Sequence, residues 1–189
     1  MSKQSNGIIF DRYRKMVSDS ENPLMKGCYF DGYIYVATHS VGFRLRSSSL
    51  PDDIFIAPNG MGNDHIYKLI EKQRVGGDEL PLPTESMLKG YIKANKLTRK
   101  FSEHAQNNKS WVQACRYDID GINGVNVFYL LDAITLIPDG KLYGDRKKQW
   151  FTWRGETHRR YTPVKLQNDD GEYAVIMPIK ETTTSIYPH

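Results

Sequence analysis

Residues 25–46 read MKGCYFDGYIYVATHSVGFRLR. They hold three strand-like runs, Met25–Phe30, Tyr33–Thr38 and Phe43–Arg46, and the first two are joined by Asp31-Gly32. Asp-Gly between two apolar runs is the strongest short-range hairpin signal, because a two-residue turn with the right twist needs residues that tolerate positive φ. The stretch therefore predicts antiparallel strands. Upstream, residues 8–17 (IIFDRYRKMV) set Phe10, Tyr13 and Met16/Val17 at helical spacing, with Asp11, Arg12, Arg14 and Lys15 between them. Asn22-Pro23 ends that helix, since the residue before proline avoids helical backbone. Downstream, Ile54–Ala57 forms a further strand candidate closed by Pro58.

Residues 59–110 change character. Gly60, Gly62, Gly76 and Gly77 punctuate them, and Pro81 and Pro83 break them. His65–Gln73 and Glu85–His104 read as helices and Ser102–Ser110 as a loop, which makes this a connector with helices of its own. Trp111–Asp118 reads as a strand. Val125–Ile137 (VNVFYLLDAITLI) is the clearest helix, with Val127, Leu130, Leu131, Ile134 and Ile137 on one apolar stripe. Further strands are expected at Gln149–Arg154, His158–Gln167 and Glu172–Lys180, with turns at Gly155 and Asp169-Asp170-Gly171 and a loose tail over residues 181–189.

Residues 8–58 and 111–180 share a pattern: a helix, a proline, three strand segments, and a closing apolar strand that ends in proline. The pattern predicts an α+β domain over residues 1–180. It would consist of two helix-plus-antiparallel-sheet half-repeats whose sheets pair and whose helices cover one side.

The chain has 189 residues, of which 39% are hydrophobic and 25% charged, enough for one good-sized core and unlike a disordered segment. No stretch approaches the roughly 18 apolar residues of a membrane helix, and Met1–Gly7 lacks the apolar part of a secretory signal. Cys28 and Cys115 do not make a disulfide framework, so a reducing cytoplasm is expected. The net charge of +4 is mild, but its distribution is uneven. Residues 50–85 carry three basic against seven acidic side chains. Residues 89–116 carry seven basic against Glu103, and residues 141–165 eight basic against Asp145 and Glu156. Two basic stretches on one face would suit a polyanion.

Catalytic signatures are lacking. His39, His65, His104, His158 and His189 have no metal-ligand spacing, and no glycine-rich phosphate loop or nucleophile motif occurs. Cys115 with a distant histidine, or Asp118 with Asp120 around a metal, could be assembled only by folding. A small buried thiol and ordinary turn chemistry explain these residues more simply. No cofactor or metal is expected.

Residues 22–45, NPLMKGCYFDGYIYVATHSVGFRL, resemble the sliding clamp, the beta subunit of bacterial DNA polymerase III. That family shows an RP-L-x-G segment, a strand and then ATDGHRL; Pro23-Leu24, Gly27, Ala37-Thr38 and Arg44-Leu45 fit. FYLLDAITLIP at 128–138 resembles the family's KYLLDAL helix, and YAVIMPIK at 173–180 its closing strand YVVMPMRL. The likeness covers about two-thirds of the chain and suits one DNA-clamp-like domain, whereas a bacterial clamp chain carries three. Asp-Gly-His of the family pattern is replaced here by His39–Phe43, with two extra residues. The helix at 125–137 lacks the basic residues of a channel lining and carries Asp132.

The resemblance implies non-specific duplex DNA binding by backbone contacts from Arg12, Arg14, Lys15, Lys89, Lys93, Lys96, Arg99, Lys100, Arg146, Lys147 and Lys148. Lys93, Lys96 and Lys100 would share one side of a helix. It also implies a pocket for polymerase or other clamp-binding peptides at Thr38, Arg44, Leu45, Val175, Met177, Pro178 and Ile179, and a homo-oligomer that completes a ring. Two other readings stay open: a monomeric adaptor or inhibitor on the same fold that does not bind DNA, and an enzyme using His39, Cys115, Asp118 or Asp120.

Overall fold

Asp31 and Gly32 take φ values of 50° and 80°, the doubly left-handed pair of a tight hairpin turn. They close strand β1 (Cys28–Phe30) onto β2 (Tyr33–Ala37), with Phe30 opposite Tyr33. β3 (Val41–Arg46) returns along β2. These elements belong to a computed structural model that describes residues 3–18, 28–52, 70–73, 75–99, 109–119, 123–146 and 149–179. The strand expected at Ile54–Ala57, most of the helix expected from His65, Asp120, Lys100, Lys147, Lys148 and the tail at 181–189 lie outside the described residues.

The described residues form a mixed α+β structure of four helices and a large antiparallel sheet. The helices are α1 (Lys3–Ser18), α2 (Glu85–Ala94), α3 (Lys109–Ala114) and α4 (Val127–Leu136). The remaining strands are β4 (Asp78–Leu80), β5 (Arg116–Ile119), β6 (Asn123–Asn126), β7 (Lys141–Gly144), β8 (Gln149–Trp153), β9 (Glu156–Arg160), β10 (Val164–Gln167) and β11 (Tyr173–Ile176). Seven of them make one sheet in the order β1-β2-β3-β11-β10-β7-β4, and β5-β6 and β8-β9 are separate hairpins. β3 and β11 meet antiparallel at the centre, with Arg44 opposite Tyr173 and Gly42 opposite Val175.

Alternation along the strands sorts residues onto two faces. Ile34, Val36, Val41, Phe43, Leu45, Leu142, Val164, Leu166, Ala174 and Ile176 point toward the helices and form one core with α1, α2 and α4. Tyr35, Ala37, Tyr173 and Val175 point to the other face, where Ile70 packs on them. α4 is the centre of the first core. Every residue from Val127 to Leu136 is buried except Ile134, which is half-buried, so apolar surface surrounds the helix rather than forming the single stripe expected. The Asn126 side chain caps it by accepting from the Phe128 N–H at 3.0 Å.

Several elements differ from expectation. Trp111–Asp118 is not one strand: α3 takes residues 109–114 and only Arg116–Ile119 is extended. A short apolar run does not distinguish the two states by period. The helix expected over Glu85–His104 stops at Ala94. Lys96 turns left-handed (φ 51°), and the Leu97 N–H reaches back to the Ile92 carbonyl at 3.0 Å. That closure satisfies the last turn without glycine. The connector is also more than helical, because β4 within it pairs with β7 as a sheet edge. Residues 158–167 split into β9 and β10, and the helix expected from Val125 starts two residues later because Val125 and Asn126 belong to β6.

Candidate functional site

Asp132 lies near the middle of α4 with only 2% of its side chain exposed. A bare carboxylate there would be prohibitively costly, and three donors compensate it. Arg99 forks onto both oxygens, at 2.6 and 2.8 Å. Arg12 of α1 approaches from the other chain segment at 3.2 Å, and the Tyr13 hydroxyl donates at 2.7 Å. The Arg99 guanidinium also lies 5.1 Å from the Phe128 ring centroid, and Tyr13 packs on Phe43 at 4.7 Å. Burial, followed by the charge of Asp132, pushes the Tyr13 phenol well above its usual range. The cluster ties α1, the segment after α2, and α4 together.

This geometry redistributes the residues expected to contact DNA. Arg12 and Arg99 are turned inward onto Asp132. Arg14 pairs with Asp11 at 3.2 Å and Lys89 with Glu85 at 2.5 Å, each within its own helix. Arg146 is bound to β4: its N–H donates to Asp78 at 2.8 Å and its guanidinium to the Glu79 carbonyl at 2.7 Å. Lys15, Lys93 and Lys96 are exposed. Lys93 and Lys96 do not continue one helix face, because α2 ends between them.

The seven residues expected to line a peptide pocket do not share one face. Leu45 is fully buried on the helix side. Arg44 and Val175 face the opposite way, and there the chain itself covers them. Ile70 is buried over this surface, and a Cβ on Gly42 would lie 2.8 Å from Ile70 Cγ1, so the close approach requires glycine. Beside Ile70, Glu71 accepts from the Tyr173 hydroxyl at 2.7 Å and pairs with Arg44 at 3.3 Å. Arg44 lies 3.8 Å over the Tyr33 ring. Lys165 sits 4.2 Å from the Tyr173 ring centroid, and burial pulls its ammonium below its ordinary value.

Thr38, Met177, Pro178 and Ile179 are brought together at the end of β11. The Thr38 hydroxyl accepts the N–H groups of Ser40 and Val41 at 3.2 Å each and fixes the β2–β3 turn. The Met177 N–H donates to the Ser40 carbonyl at 2.8 Å, Pro178 bridges to Val125, and the Ile179 N–H donates to the Gly124 carbonyl at 2.8 Å. Thr38, Met177 and Pro178 stay half-exposed, while Ile179 is buried. The corner is therefore a firm backbone carrying an adaptable thioether and a proline ring at the surface.

Of the residues considered for catalysis, three have described side chains. Cys115 is buried, which pushes its thiol up and away from the reactive thiolate. Asp118 is paired with Arg116 at 2.6 Å, and His39 is exposed in the β2–β3 turn. Among the described residues no group of three or more His, Cys, Asp or Glu is placed to hold a metal ion. A polar hollow of about 250 Å³ lies between α1, the end of α4 and the β10–β11 turn, lined by Asn6, Thr135, Asp139, Asn168 and Glu172 among others. Its buried carboxylate, Glu172, is occupied by the Arg46 N–H, the Ser49 hydroxyl and the Asn168 amide.

Sequence reasoning noted Asp132 only as a departure from a basic helix. A lone carboxylate inside an apolar helix already signals cationic partners, although it does not say which. Glu71, Tyr173 and Glu172 carried no comparable signal. Comparison of the chain with protein-family models, with curated proteins and with solved structures returned no match.

Proposed function

We propose that the chain is a non-catalytic, clamp-like adaptor that docks a protein partner, and that it does not pass duplex DNA across its helices. The sheet order supports the clamp-like part of this reading. α1 leads into β1, β2 and β3, α4 leads into β7, β10 and β11, and the third strands of the two sets pair antiparallel at the centre. The observation that carries the adaptor reading is the Asp132 cluster. A surface that grips phosphates holds its cations outward and hydrated. Here Arg12 and Arg99 are committed to a buried carboxylate, and α4 presents no basic side chain at all.

The corner formed by Thr38, Met177 and Pro178 is the docking surface this reading assigns. Light scattering across micromolar concentrations is expected to give the monomer mass. Duplex DNA is expected to show no retention at about 0.15 M salt, where exposed charges are screened beyond ~8 Å. A labelled clamp-binding peptide from a replicative polymerase is expected to bind, and Met177→Asp to abolish that binding without unfolding the chain. A ring-sized assembly that retains duplex DNA at that salt overturns the proposal in favour of an encircling clamp.

A further inference from the structure

The hairpin β8–β9 has no place in that docking surface. Among the described residues its strands pair only with each other, and neither joins the seven-stranded sheet. Residues 152–157, its distal half, are all exposed. A two-stranded ribbon that adds no strand to a sheet contributes little to a core, so its composition calls for another explanation.

The tip supplies one. Trp153 is 57% exposed. Arg154 lies over its ring, 4.5 Å from the centroid, so a flat cation and a flat indole stand at the tip together. The turn Arg154-Gly155, with φ of 51° and 82°, holds the pair at the end of the ribbon. Arg159 and Arg160 sit on β9 at the register positions opposite Trp150 and Gln149, and Glu156 is the single acidic residue of the hairpin. The ribbon is also the middle of residues 141–165, where eight basic side chains face two acidic ones.

We infer that the β8–β9 hairpin is an arm that binds single-stranded nucleic acid, with Trp153 stacking on a base and Arg154 holding a phosphate. Stacking on an exposed indole needs an unpaired base, which a duplex does not offer, and the excess positive charge complements the backbone. The assignment stands apart from the partner-docking surface, because it uses different residues on a different element.

The test is fluorescence anisotropy of the full-length protein with a labelled oligothymidylate of about 15 nucleotides, within the range of single-strand sites. Over a salt series the wild type is expected to bind with a steep salt dependence. Trp153→Ala is expected to weaken binding about ten-fold or more at unchanged thermal midpoint, and Trp153→Phe to recover most of it. Arg154→Glu is expected to lower the slope of log affinity against log salt by about one. Three outcomes overturn the inference: equal affinity of Trp153→Ala and wild type, equal or tighter binding of a duplex of the same length, and binding to anionic lipid vesicles with none to the oligonucleotide.

Discussion

Two clusters built from the same three parts sit on opposite faces of one sheet. On the helix side Tyr13, Asp132 and two arginines meet; on the other face Tyr173, Glu71 and Arg44 do. In both, the tyrosine donates to the carboxylate at 2.7 Å. The difference is burial. The side chain of Asp132 is 2% exposed and that of Glu71 is 44% exposed. Water can replace the partners of Glu71 at little cost, whereas it cannot reach Asp132. The comparison teaches that the inner cluster is a structural lock and the outer one a latch on the segment around Ile70.

The sharpest way to break the comparison is to remove the cations of the inner cluster. Arg12→Ala with Arg99→Ala leaves the buried carboxylate uncompensated and is expected to cost about 3–5 kcal/mol in urea unfolding, enough to unfold a marginal chain. Each single change should cost clearly less than half the double, because the remaining arginine still pairs. That non-additivity is the signature of one shared site. Glu71→Gln on the outer face should cost under about 1 kcal/mol. Equal losses from the two clusters would mean that burial does not set their weight.

The latch itself comes next in size. Ile70→Ala removes the apolar cover of Tyr35, Gly42 and Val175 and is expected to cost about 2 kcal/mol, the low end for such a truncation because the outer cluster is small. Gly42→Ala attacks the same contact from below. Its new methyl meets Ile70 Cγ1 at 2.8 Å, and displacing the side chain should cost about 1–3 kcal/mol. In an Ile70→Ala background the Gly42→Ala penalty should largely vanish. A penalty that persists would show that the two residues do not touch in solution.

A smaller effect separates the clusters by pH. Burial first, and then the bond to Glu71, raise the Tyr173 phenol; burial and Asp132 raise that of Tyr13. Each phenol keeps its proton in the folded chain above the pH, near 10, at which the unfolded chain releases it. Their stabilisation is therefore intact below about pH 10 and is lost as pH rises toward the folded values. Lys165 acts in the opposite sense. Its ammonium is depressed by burial, so stability from that site rises with pH until its ordinary range near 10.5 is passed. Urea midpoints measured across the alkaline range should rise slightly as Lys165 contributes and then fall as the phenols ionise. Tyr173→Phe should cost about 1 kcal/mol at neutral pH and soften that fall. An unchanged alkaline profile would remove Tyr173 from the titrating groups.

Much of the framework was legible in the sequence, and the losses have identifiable causes. The β1–β2 hairpin followed from Asp31-Gly32, and α4 from its unbroken apolar run. β4 and β7 were not legible, because three or four residues such as Asp78–Leu80 or Lys141–Gly144 hold too little alternation to read. The end of α2 escaped because a lysine, not a glycine, adopts the left-handed closure. The site was legible only at one of its ends. Asp132 inside an apolar helix demanded cations, but Arg12 lies 120 residues away and Arg99 lies 33 away, and only the tertiary fold selects them from 26 basic residues. The same holds for Glu71 and Tyr173, which meet across 102 residues.

The β8–β9 ribbon is the third region of the comparison, and its exposed tip should show the smallest stability effect of all. Trp153 is a large aromatic, and in either cluster its truncation would cost several kcal/mol, about 3–5 in a filled core. At the hairpin tip its ring is mostly in water already, so Trp153→Ala is expected to change the unfolding free energy by no more than about 0.5 kcal/mol. The same substitution is expected to carry the largest loss of single-strand binding. A residue that matters little to folding and much to binding is held at the surface for its ligand; a residue that matters to both is part of the scaffold. Urea unfolding and oligonucleotide anisotropy on one preparation of Trp153→Ala decide between these. A stability loss comparable to that of Ile70→Ala would place the tryptophan in the scaffold and assign any binding defect to misfolding of the arm.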